Sequence, residues 1–136
     1  MTRVLVIDDD SAMTDLIKLI LEPETFEVVV ANSGEEGIEA AKICAPHVII
    51  LDLLMPGTDG WQICKDLREF TQVPILVLSA LNKPGLVTRA LDEGADDFLL
   101  KPVANGILIA HLKNLTRRAR AEREASHTKH GPRRVG

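Results

Sequence analysis

Three consecutive carboxylates at Asp8-Asp9-Asp10, a single one at Asp52, a hydroxyl at Ser79 and an ammonium at Lys101 share one local setting. Each closes, or directly follows, a short apolar run: Val4–Ile7, Val48–Leu51, Pro74–Leu78 and Phe98–Leu100. Uninterrupted apolar runs of this length read as strands buried on both faces, the signature of a parallel sheet. In such a sheet, ligands bind outside the C-terminal strand ends. The pattern therefore predicts one rim carrying an acid cluster, a hydroxyl and an ammonium. Converging carboxylates raise one another's pKa unless a cation sits among them. Magnesium suits the role, because it takes about six oxygen ligands, uses few carboxylates and keeps room for a phosphate oxygen; manganese would serve in its place. With Asp9, Asp52 and a backbone carbonyl as ligands, one oxygen of Asp52 stays free to attack phosphorus in line. Lys101 and Ser79 would neutralise the transferred group, and the product would be an aspartyl phosphate.

The elements that must position these groups are legible in order. Arg3–Asp8 is predicted as the first strand. Ser11–Leu21 follows as a helix with apolar residues at Met13, Leu16, Ile17, Ile20 and Leu21, stopped by Pro23. Phe26–Ala31 reads as the second strand. Ser33 and Glu36 form a capping box ahead of a helix over Gly34–Cys44. Val48–Asp52 is the third strand, Trp61–Phe70 the next helix with Ile63, Cys64 and Leu67 inward, and Pro74–Ser79 the fourth strand. Asn82-Lys-Pro-Gly85 opens the fourth helix weakly, with Pro84 expected at its first position. Asp97–Leu100 is a short fifth strand, and a last helix runs from about Asn105. Leu108, Leu112 and Leu115 are its inner stripe, whereas Ile109 is expected off that stripe, exposed with Leu91. Five strands alternating with five helices argue for an α/β architecture, a parallel sheet covered on both faces.

Composition narrows the function classes. The chain has 136 residues, 46% hydrophobic and 26% charged, the profile of one ordinary globular domain. No apolar run nears the roughly 20 residues of a membrane span, and Val4–Ile7 is too short for a signal peptide, so a cytoplasmic protein is expected. Cys44 and Cys64 have no metal-ligand spacing and read as reduced, buried thiols. The net charge of −4 hides an asymmetry: residues 1–116 hold 9 Lys/Arg against 18 Asp/Glu, and residues 117–136 hold 7 against 2. An acidic body argues against nucleic-acid binding by this domain. The basic stretch Arg117, Arg118, Arg120 and Arg123 reads first as a solvated helix end favoured by the helix dipole, with a linker or a nonspecific phosphate contact as alternatives. None of His47, His111, His127 and His130 has ligand spacing.

Taken in order, Asp8-Asp9, Asp52 with Met55-Pro56-Gly57 and Asp59-Gly60, Ser79-Ala80, Gly94-Ala95-Asp96-Asp97-Phe98 and Lys101-Pro102 resemble the receiver domain of two-component response regulators. The resemblance covers residues 3 to about 118. It implies the flavodoxin-like fold with strand order 2-1-3-4-5 and a receiver domain over 1–122; residues 123–136, whose composition from about Ala125 is Ser, His, Lys, Gly, Pro and Arg with no apolar residue before Val135, read as a basic disordered tail or linker. It further implies that Asp52 is the phosphoacceptor, charged by a sensor histidine kinase. Asp9 and Asp52 would ligate magnesium directly, with Asp8 acting through water and the Leu54 carbonyl completing the protein ligands. Ser79 would turn to bond the phosphoryl group, Phe98 would swing inward behind it, and Lys101 would pair with the phosphate across a cis Lys101-Pro102 peptide. Asp10 is expected only to cap its helix, and Trp61 to pack beside the site.

Within that family the Gly-Ala-Asp-Asp-aromatic stretch looks like the OmpR/PhoB class. Its receivers dimerise through the fourth helix, fifth strand and fifth helix and feed a DNA-binding domain, which would lie outside this chain. Ile107 and His111 stand where that class has an interface Glu and Arg; Arg89 fits the pattern. Leu54 and Leu81, two residues past Asp52 and Ser79, flank the path of the attacking water in the family, and neither can bond it. A long-lived aspartyl phosphate is the expected consequence. The runner-up is a magnesium-dependent phosphohydrolase working through the same intermediate. Such enzymes place a carboxylate two residues past the nucleophile, where this chain has Leu54.

Overall fold

The computed structural model describes residues 1–81 and 83–130, with side chains through residue 125. Five strands, β1 (Thr2–Ile7), β2 (Phe26–Ala31), β3 (Val48–Leu51), β4 (Ile75–Ser79) and β5 (Asp97–Leu100), form one parallel sheet in the order β2-β1-β3-β4-β5. The helices are α1 (Ser11–Leu21), α2 (Gly34–Cys44), α3 (Gly60–Arg68), α4 (Leu86–Asp92) and α5 (Asn105–His130). The expected fold class and strand order hold. No helix among the described residues is long and apolar enough to cross a membrane.

Strand alternation distributes the apolar runs between two cores. Leu5, Ile7, Ile49, Leu51, Ile75 and Val77 face Ala41, Ile63, Cys64, Leu67 and Ala90 from α2, α3 and α4. Val4, Val6, Val48, Ile50, Leu76 and Leu78 face Ile17 and Leu21 of α1 and Leu108, Leu112 and Leu115 of α5. Both faces of β1, β3 and β4 are covered, which is why these strands run apolar without interruption from Val4, Val48 and Ile75 until they end. At an average of about 2 kcal/mol per fully buried aliphatic side chain, this double core is the main source of stability.

Local chemistry sets the helix ends. The Asp10 carboxylate accepts from the backbone of Ala12 and Met13 at 3.0 and 3.2 Å, confirming it as the α1 cap. Ser33 Oγ accepts from Glu36 N at 3.1 Å, but the Glu36 carboxylate reaches back to Asn32 N, one residue before the expected capping-box partner. The start of α4 also differs from expectation: Leu86, not Pro84, is its first residue. Gly85 takes a left-handed φ of 81° ahead of it, and no side chain caps it. Arg68, at the end of α3, pins the α4–β5 connection: Nε donates to Gly94 O at 2.9 Å, and its guanidinium pairs with Asp96 at 2.6 Å.

One expectation about α5 needs correction. Ile109 is partly buried against the α1/α5 core; the exposed apolar side chains around α4, β5 and α5 are Val87, Leu91, Leu100 and Ile107. Residues 123–130, expected as part of a disordered tail or linker, continue α5 to His130 past the end of its apolar stripe at Leu115. Residues 121–125 are exposed, as expected of a helix end with no apolar face to bury. The rest of the expected tail, 131–136, lies outside the described residues.

Candidate functional site

Register brings the chemistry together. Ile7 pairs with Leu51, so the next residues, Asp8 and Asp52, leave the sheet side by side, and Asp52 N donates to Ile7 O at 3.0 Å. Ser79 pairs with Leu100, which places Lys101 just past it; Lys101 N donates to Ser79 O at 2.8 Å. One carboxylate oxygen each from Asp8, Asp9 and Asp52 lies within 4.8 Å of the others. Asp8 and Asp52 are buried and Asp9 is exposed, so the cluster has an inner wall and an open side.

Each buried carboxylate divides its oxygens between two tasks. Oδ1 of Asp8 accepts from Asp10 N and Oδ1 of Asp52 from Leu54 N, both at 3.0 Å, which fixes the side chains against their own turns. The Oδ2 atoms face Lys101 Nζ, at 3.1 Å for Asp8 and 3.6 Å for Asp52. Burial pushes the Asp52 carboxyl above its ordinary value and the neighbouring Asp8 adds to this, whereas the Leu54 N–H and Lys101 act against it. One ammonium facing two buried carboxylates, with a third carboxylate at the rim, leaves excess negative charge on an all-oxygen donor set. That set fits a hard divalent cation of the magnesium class.

Ser79 is fully buried at the end of β4, and its Oγ accepts from Leu81 N at 3.1 Å. Phe98 is half-buried, packed against the core that α2, α3 and α4 cover. The Lys101–Pro102 peptide is cis. Leu54 is 44% exposed beside Asp52, and Leu81 is half-buried. Trp61 is partly buried on the same core, with the Arg89 guanidinium 4.6 Å from its ring centre. Arg89 is therefore engaged within the chain, bridging α4 to α3.

One pair escaped sequence reasoning. His111 Nδ1 lies 2.5 Å from Asp97 Oδ2, joining α5 to the start of β5. The two are 14 residues apart, and no local spacing rule links a strand start to a helix one turn and more into its course.

Residues 4–113 match the family model of the response regulator receiver domain, and the chain belongs to that family. The chain is 36% identical over 122 residues to the transcriptional regulatory protein AfsQ1 of Streptomyces coelicolor, covering 90% of this chain and 54% of that protein. It is 34% identical over 116 residues to the DNA-binding response regulator MtrA of Mycobacterium tuberculosis, covering 85% and 51%. The chain thus spans about half the length of the curated relatives it matches. Among solved structures, a two-component response regulator from Clostridium difficile superposes with a TM-score of 0.84 at 32% identity, covering 88% of this chain and 98% of that one.

Proposed function

We propose that this receiver domain accepts a phosphoryl group on Asp52 from the phosphohistidine of a sensor kinase. A divalent cation, magnesium or manganese, would be held by Asp8, Asp9, Asp52 and the Leu54 carbonyl. When bound it supplies charge neutralisation for the incoming phosphoryl oxygens. The carboxylate oxygen of Asp52 forms the new bond to phosphorus as the bond from phosphorus to the donor breaks and the donor leaves with its electron pair. Lys101, already within reach of Asp52, pairs with a phosphoryl oxygen. Ser79 exchanges its bond from Leu81 N for one to the phosphoryl group, and Phe98 moves inward behind it. These charge-assisted bonds exist in one conformation only, so phosphorylation favours it by their differential energy.

The single observation that carries this reading is the meeting of Asp8, Asp9 and Asp52 within 4.8 Å, with Lys101 opposite. The names of AfsQ1 and MtrA support an output in transcription, through a DNA-binding domain outside this chain and a class like OmpR/PhoB. Dimerisation through α4, β5 and α5 belongs to the same proposal, with Val87, Leu91, Leu100 and Ile107 as its exposed apolar contacts. So does a cytoplasmic location, and so does a module with no substrate turnover beyond its own phosphorylation and slow dephosphorylation. A phosphohydrolase is not favoured, because Leu54 offers no acid or base two residues past Asp52.

Incubation with acetyl phosphate and magnesium tests the assignment. Wild type is expected to gain about 80 Da, one phosphoryl group, and Asp52→Ala to gain nothing. Equal gain in the variant would place the chemistry elsewhere. A change in oligomer size on phosphorylation would support the dimer; its absence would remove that part of the proposal.

A further inference from the structure

We propose that the Thr116–Arg123 stretch of α5 and the N-terminal edge of the sheet form a binding site for a small phosphate-class dianion, at the opposite end of the domain from Asp52. A cavity of about 270 Å³ there is lined by Met1, Thr2, His47, Thr116, Arg120 and Arg123. Its lining contains two guanidiniums, two hydroxyls and an imidazole, and no carboxylate. Arg120 and Arg123 make no ion pair among the described residues, whereas Arg3 beside them is paired with Glu27 at 3.2 Å.

Helix geometry puts the arginines on one face. Thr116, Arg120 and Arg123 follow at steps of four and three, so their side chains stand over one another along α5. His47 Nδ1 accepts the backbone N–H of Arg3 at 2.9 Å, which leaves Nε2 as the protonated donor of the neutral ring. The ring is pushed toward its neutral form by burial and then by Arg123, Arg3, the N-terminal ammonium and Arg120. Arg120 and Arg123, with no ion pair among the described residues, are matched by an oxyanion that takes charge-assisted hydrogen bonds from both guanidiniums.

Neighbouring hollows lack this character. The next one along α5 includes Arg117 and Arg120, but also Glu24, which neutralises Lys113 at 3.2 Å. Size selects the ligand: about 270 Å³ lies at the lower limit of small-molecule sites, room for a phosphate and a short organic group. The excess of acids over bases in residues 1–116 opposes an extended nucleic-acid strand. An anion there would tie α5 to Thr2 at the start of β1 and to His47 just ahead of β3. It would hold the middle of α5 where the helix leaves the sheet.

Inorganic phosphate without divalent metal is the probe, titrated against the full chain carrying Asp52→Ala so that the acidic rim is out of play. Amide NMR shifts at Thr2, His47, Thr116, Arg120 and Arg123 are expected to saturate. An Arg120→Gln/Arg123→Gln variant, which keeps helix formers at exposed positions, should bind about tenfold more weakly or worse. Three results would overturn the site: no saturable response, a response equalled by sodium chloride at matched ionic strength, or a response unchanged in the arginine variant. Binding to a DNA duplex without any response to phosphate would assign the arginines to nucleic acid and overturn it as well.

Discussion

Beside Asp52, Leu54 presents 44% of its surface to solvent and Leu81 stands half-buried beyond Ser79, two apolar groups where an attacking water would need a hydrogen-bond partner. A water that nothing orients attacks phosphorus slowly. A Leu54→Asn/Leu81→Lys variant should therefore shorten the aspartyl-phosphate half-life by about tenfold or more, measured by loss of the phosphorylated mass. An unchanged half-life would remove the leucines from the account. His47 supports a second expectation at this scale. Its folded pKa is below the ordinary 6.5, through burial and then the surrounding positive charges. The unfolded chain therefore takes the proton first, and stability falls as pH drops below about 6.5 through the folded value. Thermal melts from pH 7.5 to 5 should show a steeper acid loss for wild type than for His47→Asn. Parallel curves would mean the ring's neutrality contributes nothing.

Helices sit where their glycines allow. A Cβ on Gly37 of α2 would stand 2.5 Å from Ile7 Cδ1 and 2.7 Å from its Cγ1, and Ile7 is fully buried in β1. Overpacking against such a residue costs about 1–3 kcal/mol, more than the roughly 1 kcal/mol that alanine adds to helix propensity. Gly37→Ala is therefore expected to destabilise by up to about 2 kcal/mol. A Cβ on Gly106 of α5 meets nothing within 4 Å, so Gly106→Ala should stabilise by about 0.5–1 kcal/mol. Denaturant midpoints of the two variants decide between steric and propensity control; a stabilised Gly37→Ala would mean α2 can move away from β1 cheaply. The choice of side follows from strand order and right-handed crossovers: α2 packs on the face that Leu5 and Ile7 share, and α1 on the face of Val4 and Val6.

For the whole molecule, the two cores close on residues between Val4 and Leu115; beyond that α5 keeps only Thr116 and Ala119 partly buried, and residues 120–125 are exposed. Deleting residues 121–136 should therefore shift the melting temperature by no more than about 2 °C, since little apolar surface is uncovered. A loss of five degrees or more would show that the overhang is part of the domain's stability. The acidic rim and the arginine cavity occupy opposite ends of the sheet, with β1 running from Thr2 at one to Asp8 beyond the other.

Element types, their order and the rim residues were legible in the sequence because each depends on short-range rules. A strand buried on both faces must be apolar without interruption, a helix needs its cap, and a carboxylate directly after a strand can only emerge at its end. Asp10, Ser33 and the runs ahead of Asp8, Asp52 and Ser79 carry those rules in their neighbours. What only the tertiary structure decided is pairing between residues distant in the chain: Lys101 between Asp8 and Asp52, His111 on Asp97, Arg89 over Trp61, and Arg120 with Arg123 above His47. The length of α5 and the burial of Ile109 belong there too. Such contacts depend on the angle and register at which packed elements meet, and no local pattern along the chain encodes that geometry.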